Sequence, residues 1–183
     1  MKDLRDYIKV YNHFEKDFCN RVVDNLQDDW HKHTFYSHAD KERFNFDDDL
    51  EISHQFNDDT LFICQSVKDV LLKYINDIQL PSLEGWDGYL DIRYNRYQTG
   101  TTMHWHADRV QEMFDGERKG IPTLSVVGVL NDDYEGGNFY MFDDHLVELK
   151  TGDVLIFPST FMYIHKVTPV TKGTRYSWVS WVW

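Results

Sequence analysis

The apolar and polar positions of this 183-residue chain follow two periods, and the change falls near Trp86. Between Glu15 and about Leu26 the apolar residues Phe18, Cys19, Val22, Val23 and Leu26 recur at intervals of three and four. That spacing predicts an amphipathic helix with one side against a core. A longer stripe of Leu61, Cys64, Val67, Leu71, Tyr74, Ile75 and Ile78 follows capping chemistry at Asp58-Asp59-Thr60 and stops before Pro81. It predicts a helix that covers the outer face of a sheet. Ahead of both, residues 6–14 form a mixed apolar segment containing Tyr7, Ile8, Val10, Tyr11 and Phe14, which reads as a short edge strand.

From Trp86 onward the period is that of strands. They are predicted at about 88–97, 103–108, 123–130, 137–142, 145–149, 153–157, 161–167 and 174–182. Turn signals punctuate them at Gly100, Asn131-Asp132-Asp133, Gly136-Gly137, Asp143-Asp144, Gly152, Pro158 and Gly173. Short strands behind a helical N-terminal part predict an α+β, mainly β fold, a jelly roll with N-terminal helices packed on one sheet. The expected division is helical support over residues 1–85 and jelly-roll core over residues 86–183, within one domain of residues 1–183. No internal repeat, low-complexity tract or Pro/Gly/Ser linker interrupts it.

Residues 28–59 break the pattern. His31, His33, His38 and the acidic run Asp47-Asp48-Asp49 stand there among scattered aromatics. Without fitting partners His31 and His33 read as solvated surface rather than a metal site, and the acidic run as a solvated face. A segment of this length is also a candidate lid or substrate grip.

Composition narrows the function. Aromatic residues are 16% of the chain and many lie in its second half, which suits large side chains packed on a pleated surface. The net charge of −12 makes the surface repel phosphate backbones, so nucleic acid is disfavoured as a partner. Cys19 and Cys64 fall in helical patterns, cannot build a disulfide framework and read as buried free thiols in a reducing compartment. No signal-peptide-like run follows Met1 and nowhere do eighteen apolar residues occur together. A soluble, cytoplasmic protein with no membrane segment is expected.

The candidate chemistry lies in His104-Trp105-His106-Ala107-Asp108. Strand alternation puts His106 and Asp108 on one face, close enough to share an ion, and turns Trp105 and Ala107 to the other face as packing residues. A third ligand must come from elsewhere. Strands enough separate His106 from His165 for the chain to pass around a barrel and return, although spacing alone does not decide the matter. Two imidazoles and one carboxylate with open positions make the facial triad that suits non-haem Fe(II) in oxygen chemistry. Arg175 follows His165 by ten residues across the turn Thr171-Lys172-Gly173-Thr174. From a neighbouring strand its guanidinium can clamp a carboxylate with two parallel hydrogen bonds. Ser177 shares its face and adds a hydroxyl. The tail residues Tyr176, Trp178, Trp181 and Trp183 read as core or edge packing rather than a nucleobase platform.

Two runs carry a family resemblance. Tyr94-Asn95-Arg96-Tyr97-x-x-Gly100 followed by His106-x-Asp108 resembles the first half of the 2-oxoglutarate and Fe(II)-dependent oxygenases related to the prolyl 4-hydroxylase catalytic domain. Gly152-Asp153-Val154-Leu155-Ile156-Phe157-Pro158-Ser159, then His165-x-Val167-x-Pro169-Val170-Thr171-x-Gly173-x-Arg175, resembles the second half. The similarity covers roughly residues 90–183 and is nearest to the short single-domain bacterial and phage members. It implies a double-stranded β-helix in which His106, Asp108 and His165 hold iron. Arg175 is expected to bind the distal carboxylate of 2-oxoglutarate, with Tyr97 supporting the co-substrate. The register against Gly100 and Arg175 assigns the iron to His106 and leaves His104 as cavity lining or support. Met103 stands where many relatives carry tyrosine, and Arg175 where collagen-type enzymes use lysine.

The implied reaction consumes O₂ and 2-oxoglutarate, with ascorbate an optional accessory, and releases succinate and CO₂ as a C–H bond is hydroxylated. The expected substrate is a prolyl residue of a protein or peptide. Competing readings are a free amino acid or small metabolite as substrate and, from another class, a non-catalytic metal-binding jelly roll acting as sensor or structural module. The segments 38–57 and 109–121 are candidates for gripping substrate.

Overall fold

The computed structural model describes residues 3–37, 42–44, 50–79, 88–89, 91–108, 120 and 122–183. A 3-10 turn at Leu4–Tyr7 leads into β1 (Lys9–Asn12), α1 (Lys16–Asn25), β2 (His31–Lys32), β3 (Phe35–Ser37), β4 (Glu42–Phe44), β5 (Glu51–Ser53) and α2 (Asp58–Ile78). The second half contributes β6 (Arg93–Tyr97), β7 (Met103–His106), β8 (Leu124–Val129), β9 (Glu135–Gly136), β10 (Phe139–Met141) and β11 (His145–Val147). It ends with β12 (Asp153–Pro158), β13 (His165–Val167), β14 (Val170–Lys172) and β15 (Arg175–Val182).

The larger sheet has seven strands in the order β1-β12-β8-β15-β6-β5-β2, and the smaller has four in the order β11-β10-β13-β7. Alternation gives the larger sheet two unlike faces. Val126, Val154, Ile156, Tyr94 and Trp178 turn outward into a core shared with Cys19, Val22, Ile63, Val67, Leu71 and Tyr74 of the two helices. Val127, Leu155, Phe157, Val179 and Tyr97 turn inward against Met103, Phe139, Met141 and Val167 of the smaller sheet. The molecule is thus mainly β, with helices on one face of the larger sheet and a second sheet on the other.

The helices follow their sequence signals closely, but the cap of α2 differs. Asn57, not the following aspartates, is the N-cap, its side chain accepting from the Thr60 N–H at 2.9 Å. Asp58 and Asp59 occupy the first turn, where negative charge favours the helix dipole. Tyr94 and Thr60 share a buried hydroxyl hydrogen bond of 2.9 Å that ties α2 to β6.

Three other expectations change. The short edge strand read within residues 6–14 is β1, but the N-terminal part is not otherwise only helical support, because β2 and β5 extend the opposite edge of the larger sheet. The strand expected at 88–97 is regular only from Arg93, with an isolated bridge from Tyr89 to Val182 before it. Glu135–Gly136 and Val170–Lys172 pair as an extra two-stranded ribbon where turns were read. Strands of two or three residues are too short to show a period. His38, the Asp47-Asp48-Asp49 run, Pro81 and Trp86 lie outside the described residues, as does nearly all of segment 109–121.

Among the described residues, no helix is long and apolar enough to cross a membrane. Both cysteines are free thiols, Cys19 buried and Cys64 half-buried.

Gly128 of β8 lies opposite Trp178 of β15, and a Cβ there would meet the indole Cε2 at 1.9 Å. The ring is fully buried and has nowhere to retreat. Gly128→Ala should therefore destabilise the fold by about 1–3 kcal/mol through overpacking. Denaturant unfolding should show a lower midpoint with an unchanged slope.

Candidate active site

The site forms where the two sheets face each other at one end. His106, the last residue of β7, pairs directly across the strand with His165, the first of β13. Their ring centroids are 4.2 Å apart. The His106 Nδ1 lies 2.7 Å from the carbonyl of His104, and the His165 Nδ1 lies 3.1 Å from the carbonyl of Tyr163. Each ring therefore spends its Nδ1–H on a carbonyl two residues upstream and presents the Nε2 lone pair to the space between the sheets. Phe139 stacks on the His165 ring at 5.2 Å and Phe157 meets it edge-on at 5.0 Å, which fixes its plane.

Asp108 lies two residues past β7, and its Oδ1 is 3.7 Å from both Nε2 atoms. Its Oδ2 crosses to the larger sheet, where Ser125 Oγ donates to it at 2.5 Å. Ser159 Oγ lies 2.6 Å behind Ser125 and supplies that hydroxyl with a donor in turn. Burial acts to raise the Asp108 pKa, but His165, His106 and hydrogen bonds from Ser125 and Trp181 outweigh it and hold the carboxyl below its usual range. Burial, helped by the neighbouring His165, lowers His106 to about 4 against the opposing pull of Asp108. At neutral pH His106 is therefore a neutral imidazole and Asp108 a carboxylate. The three ligand atoms lie within 4.8 Å of one another, the spacing of groups that can hold one metal ion.

Arg175 opens β15 on the same inner face, opposite Tyr97 of β6. Its side chain is buried, its Nη1 donates to Ser177 Oγ at 3.0 Å, and its guanidinium carbon sits 5.0 Å from the Tyr97 ring centroid. Its Nε is buried without a hydrogen-bond partner, and no described carboxylate pairs with it. An arginine so enclosed is a preformed acceptor site for a carboxylate. The cavity between the sheets is lined by the three ligands together with Tyr97, Arg175 and Ser177. All six residues singled out from the sequence thus meet in one place. A larger hollow of about 270 Å³, lined by Tyr134 and Leu149, reaches the other side of Arg175 but contains none of the three ligands.

Other expectations fail locally. The His104 side chain is exposed, and its backbone carbonyl accepts from the His106 Nδ1–H. Trp105 is 39% exposed and carries Lys166 Nζ 4.6 Å above its ring, so it is not a core residue. His31 is exposed beside Asp29, but His33 is partly buried, and burial with the charge of Arg93 lowers it to about 3.

Three contributors escaped sequence reasoning. Ser125 sits in Leu124-Ser125-Val126-Val127-Gly128-Val129, a strand buried on both faces where no alternation marks the inner side. Trp181 shares the inner face of Arg175, Ser177 and Val179, a relation visible in the two-residue period. Arg93 likewise shares the face of Asn95 and Tyr97, and its guanidinium carbon lies 4.8 Å from the Trp181 ring centroid. Desolvation lowers its pKa from the ordinary arginine value, while Tyr97 and Asp108 raise it.

A family model described as the 2OG-Fe(II) oxygenase superfamily matches residues 92–183. A PKHD-type hydroxylase of Stenotrophomonas maltophilia is 35% identical over 99 residues, which are 51% of this chain and 43% of that protein. One from Paracoccus denitrificans is 36% identical over 96 residues, 49% of this chain and 40% of that protein. The chain spans under half the length of these relatives. A Trichoplax adhaerens prolyl hydroxylase, solved with a hypoxia-inducible-factor peptide fragment, superposes with a TM-score of 0.71 at 16% identity, covering 97% of this chain and 84% of that one. A Pseudomonas putida prolyl-4-hydroxylase gives 0.67 at 16% identity, covering 96% and 91%. These likenesses show a shared fold, mainly β and jelly-roll-like.

The lowered histidines set an acid limit for protein stripped with chelator. His106 and His33 stay neutral in the native state while the unfolded chain takes up protons below its ordinary histidine value of 6.5. Stability is therefore complete above about pH 6.5 and is lost as the pH falls toward their folded values, with a slope of about 1.4 kcal/mol per pH unit for each group. Unfolding midpoints should fall between pH 7 and pH 5, and His33→Gln should flatten that dependence.

Proposed function

The chain belongs to the 2OG-Fe(II) oxygenase superfamily, and from that membership we propose that it is a 2-oxoglutarate-dependent Fe(II) hydroxylase built on a double-stranded β-helix, with residues 1–183 forming one domain. The observation that carries this reading is the pairing of the His106, Asp108 and His165 cluster with a buried arginine whose Nε has no partner. A bare metal-binding module has no need of that arginine.

The donor set fits ferrous iron. Two Nε2 lone pairs and one carboxylate oxygen converge, and both Nδ1 atoms are occupied by backbone carbonyls, the arrangement that orients ligating histidines. His106, Asp108 and His165 would hold the metal, and Ser125 and Trp181 would keep the Asp108 carboxylate charged and aimed. Arg175 would receive the distal carboxylate of 2-oxoglutarate, with Ser177 and the Tyr97 ring fixing the guanidinium plane. Iron with 2-oxoglutarate and O₂ supplies oxidative decarboxylation to succinate and CO₂ and transfer of one oxygen atom to a substrate C–H bond. Val127, Phe139, Val167 and Val179 line the same cavity and exclude water from the reacting atoms.

A prolyl residue of a protein or peptide is the substrate this reading favours, supported by the prolyl hydroxylases among the structural neighbours. A free amino acid is the alternative that shares the same chemistry.

Anaerobic protein given Fe(II) and 2-oxoglutarate should develop a weak visible charge-transfer band, and in air should release succinate. His106→Ala and His165→Ala should lose both. Absence of band and succinate in the native chain would favour a non-catalytic module. Arg175→Ala should raise the 2-oxoglutarate concentration needed by about tenfold to a hundredfold, the worth of a charge-assisted hydrogen-bond pair, with much smaller change in iron affinity. The reverse pattern would remove Arg175 from its role. Mass spectrometry of peptide and metabolite pools, with and without 2-oxoglutarate, should find a one-oxygen gain that marks the substrate.

A further inference from the structure

We propose that Arg93 anchors an anionic group of the primary substrate, so that the compound or peptide oxidised here carries a carboxylate close to the carbon that reacts. The proposal rests on the reading of the site as a 2-oxoglutarate-dependent iron centre and adds a substrate class to it.

Position comes first. Arg93 lies opposite Val179 on β15, two residues from Trp181 and four from Arg175 along that strand. It therefore stands toward the metal end of the cavity, while Arg175 stands at the other. Its guanidinium lies over the Trp181 ring, and Trp181 is hydrogen-bonded to Asp108. One indole thus separates this cation from a ligand of the metal.

Satisfaction comes second. The Arg93 Nε is buried without a hydrogen-bond partner, and no described residue accepts a hydrogen bond from the guanidinium or forms an ion pair with it. The face of Trp181 offers a cation–π contact, which leaves the in-plane Nε–H unspent. Arg93 is half-buried as a residue, and its enclosed Nε–H is costly unless a ligand supplies the acceptor.

Charge comes third. Among the described residues, the charged ones lining the cavity are Arg93, Arg175 and Asp108. A ferrous ion and the dianion of 2-oxoglutarate cancel, and Asp108 offsets one arginine. One positive charge remains among the described lining residues, and Arg175 is committed to the co-substrate in this reading. A carboxylate on the substrate neutralises that excess and takes the planar pair of donors in the geometry that suits it. A neutral substrate leaves that excess unmet. The chain as a whole carries −12, so its overall field does not gather anions. Recognition must be local to the cavity and weakly screened by salt.

The test uses anaerobic full-length protein loaded with Fe(II) and 2-oxoglutarate, with perturbation of the visible band as a binding signal independent of turnover. The probes are matched pairs that differ by one charge: N-acetyl-Pro-Glu amide against N-acetyl-Pro-Gln amide, and L-proline against L-prolinamide. In the native chain at least one acid should bind about tenfold or more tightly than its amide, the worth of one charge-assisted contact, and the preference should survive added salt. Arg93→Gln should retain the band and lose the preference, whereas Arg93→Lys, which keeps the charge, should retain part of it. The unfolding midpoint of each variant establishes that it is folded. A normal band with no acid preference in any pair overturns the proposal alone. Loss of 2-oxoglutarate affinity in Arg93→Gln assigns the residue to the co-substrate and also overturns it. A native chain that gives no band overturns the reading of the site itself, and the proposal with it.

Discussion

One carboxylate holds the site together. Asp108 leaves the smaller sheet just after β7, faces both imidazoles with one oxygen and gives the other to Ser125 of the larger sheet. A buried carboxylate is tolerated only when its charge is met. Here Ser125, with Ser159 behind it, and Trp181 meet it from one sheet while His106 and His165 meet it from the other. The same interaction that makes a ligand also fixes the separation of the two sheets at the cavity's metal end. No side chain is needed to set the tautomer of the histidines, because each Nδ1–H is tied to a carbonyl two residues upstream. Main-chain geometry thereby selects the tautomer.

The inner face of β6 and β15 extends this order along the cavity. Arg175 lies opposite Tyr97, Ser177 opposite Asn95 and Val179 opposite Arg93, with Trp181 beyond them. Polar, apolar and aromatic groups thus alternate in rows between the two arginines. The crowding at the Arg175 end is visible in Gly137, where φ is +59° and a Cβ would lie 3.2 Å from the Arg175 Cδ. Any side chain there would be strained by the backbone and would press on the guanidinium.

Much of this was legible in the chain. Two-residue alternation placed His106 with Asp108 and Arg175 with Ser177, and a helical stripe placed α2 on the outer face of the sheet. What stayed hidden has identifiable causes. β8 is apolar on both sides, so Ser125 gave no signal of facing the site. The short strands β2 and β5 hold two or three residues each, and only the pairing of β5 with β6 and of β2 with β5 reveals them. Trp181 looked like packing because an aromatic tail is usually core, although its own register put it beside Arg175. Arg93 was available by the same counting backward from Tyr97, but nothing local distinguishes an inward arginine at the start of a strand from a surface one. His33 is buried by tertiary contacts that a polar segment does not announce.

The comparisons divide along the same physical line. Sequence similarity of 35% is confined to about half of the chain, whereas structural similarity at 16% identity extends over 97% of it. The N-terminal part needs an apolar stripe on α2 and a few edge strands, requirements that many sequences satisfy. The second half must place three ligand atoms, an enclosed guanidinium and the donors that hold them, each on a particular strand and a particular face. A one-residue slip in β15 would turn Arg175, Ser177 and Trp181 together out of the cavity and bring Tyr176 and Trp178 inward. Chemistry here is specified by register, and register is fixed by the outward-facing residues as much as by the inward ones. Trp178 packed on Gly128 therefore contributes to the site without touching it.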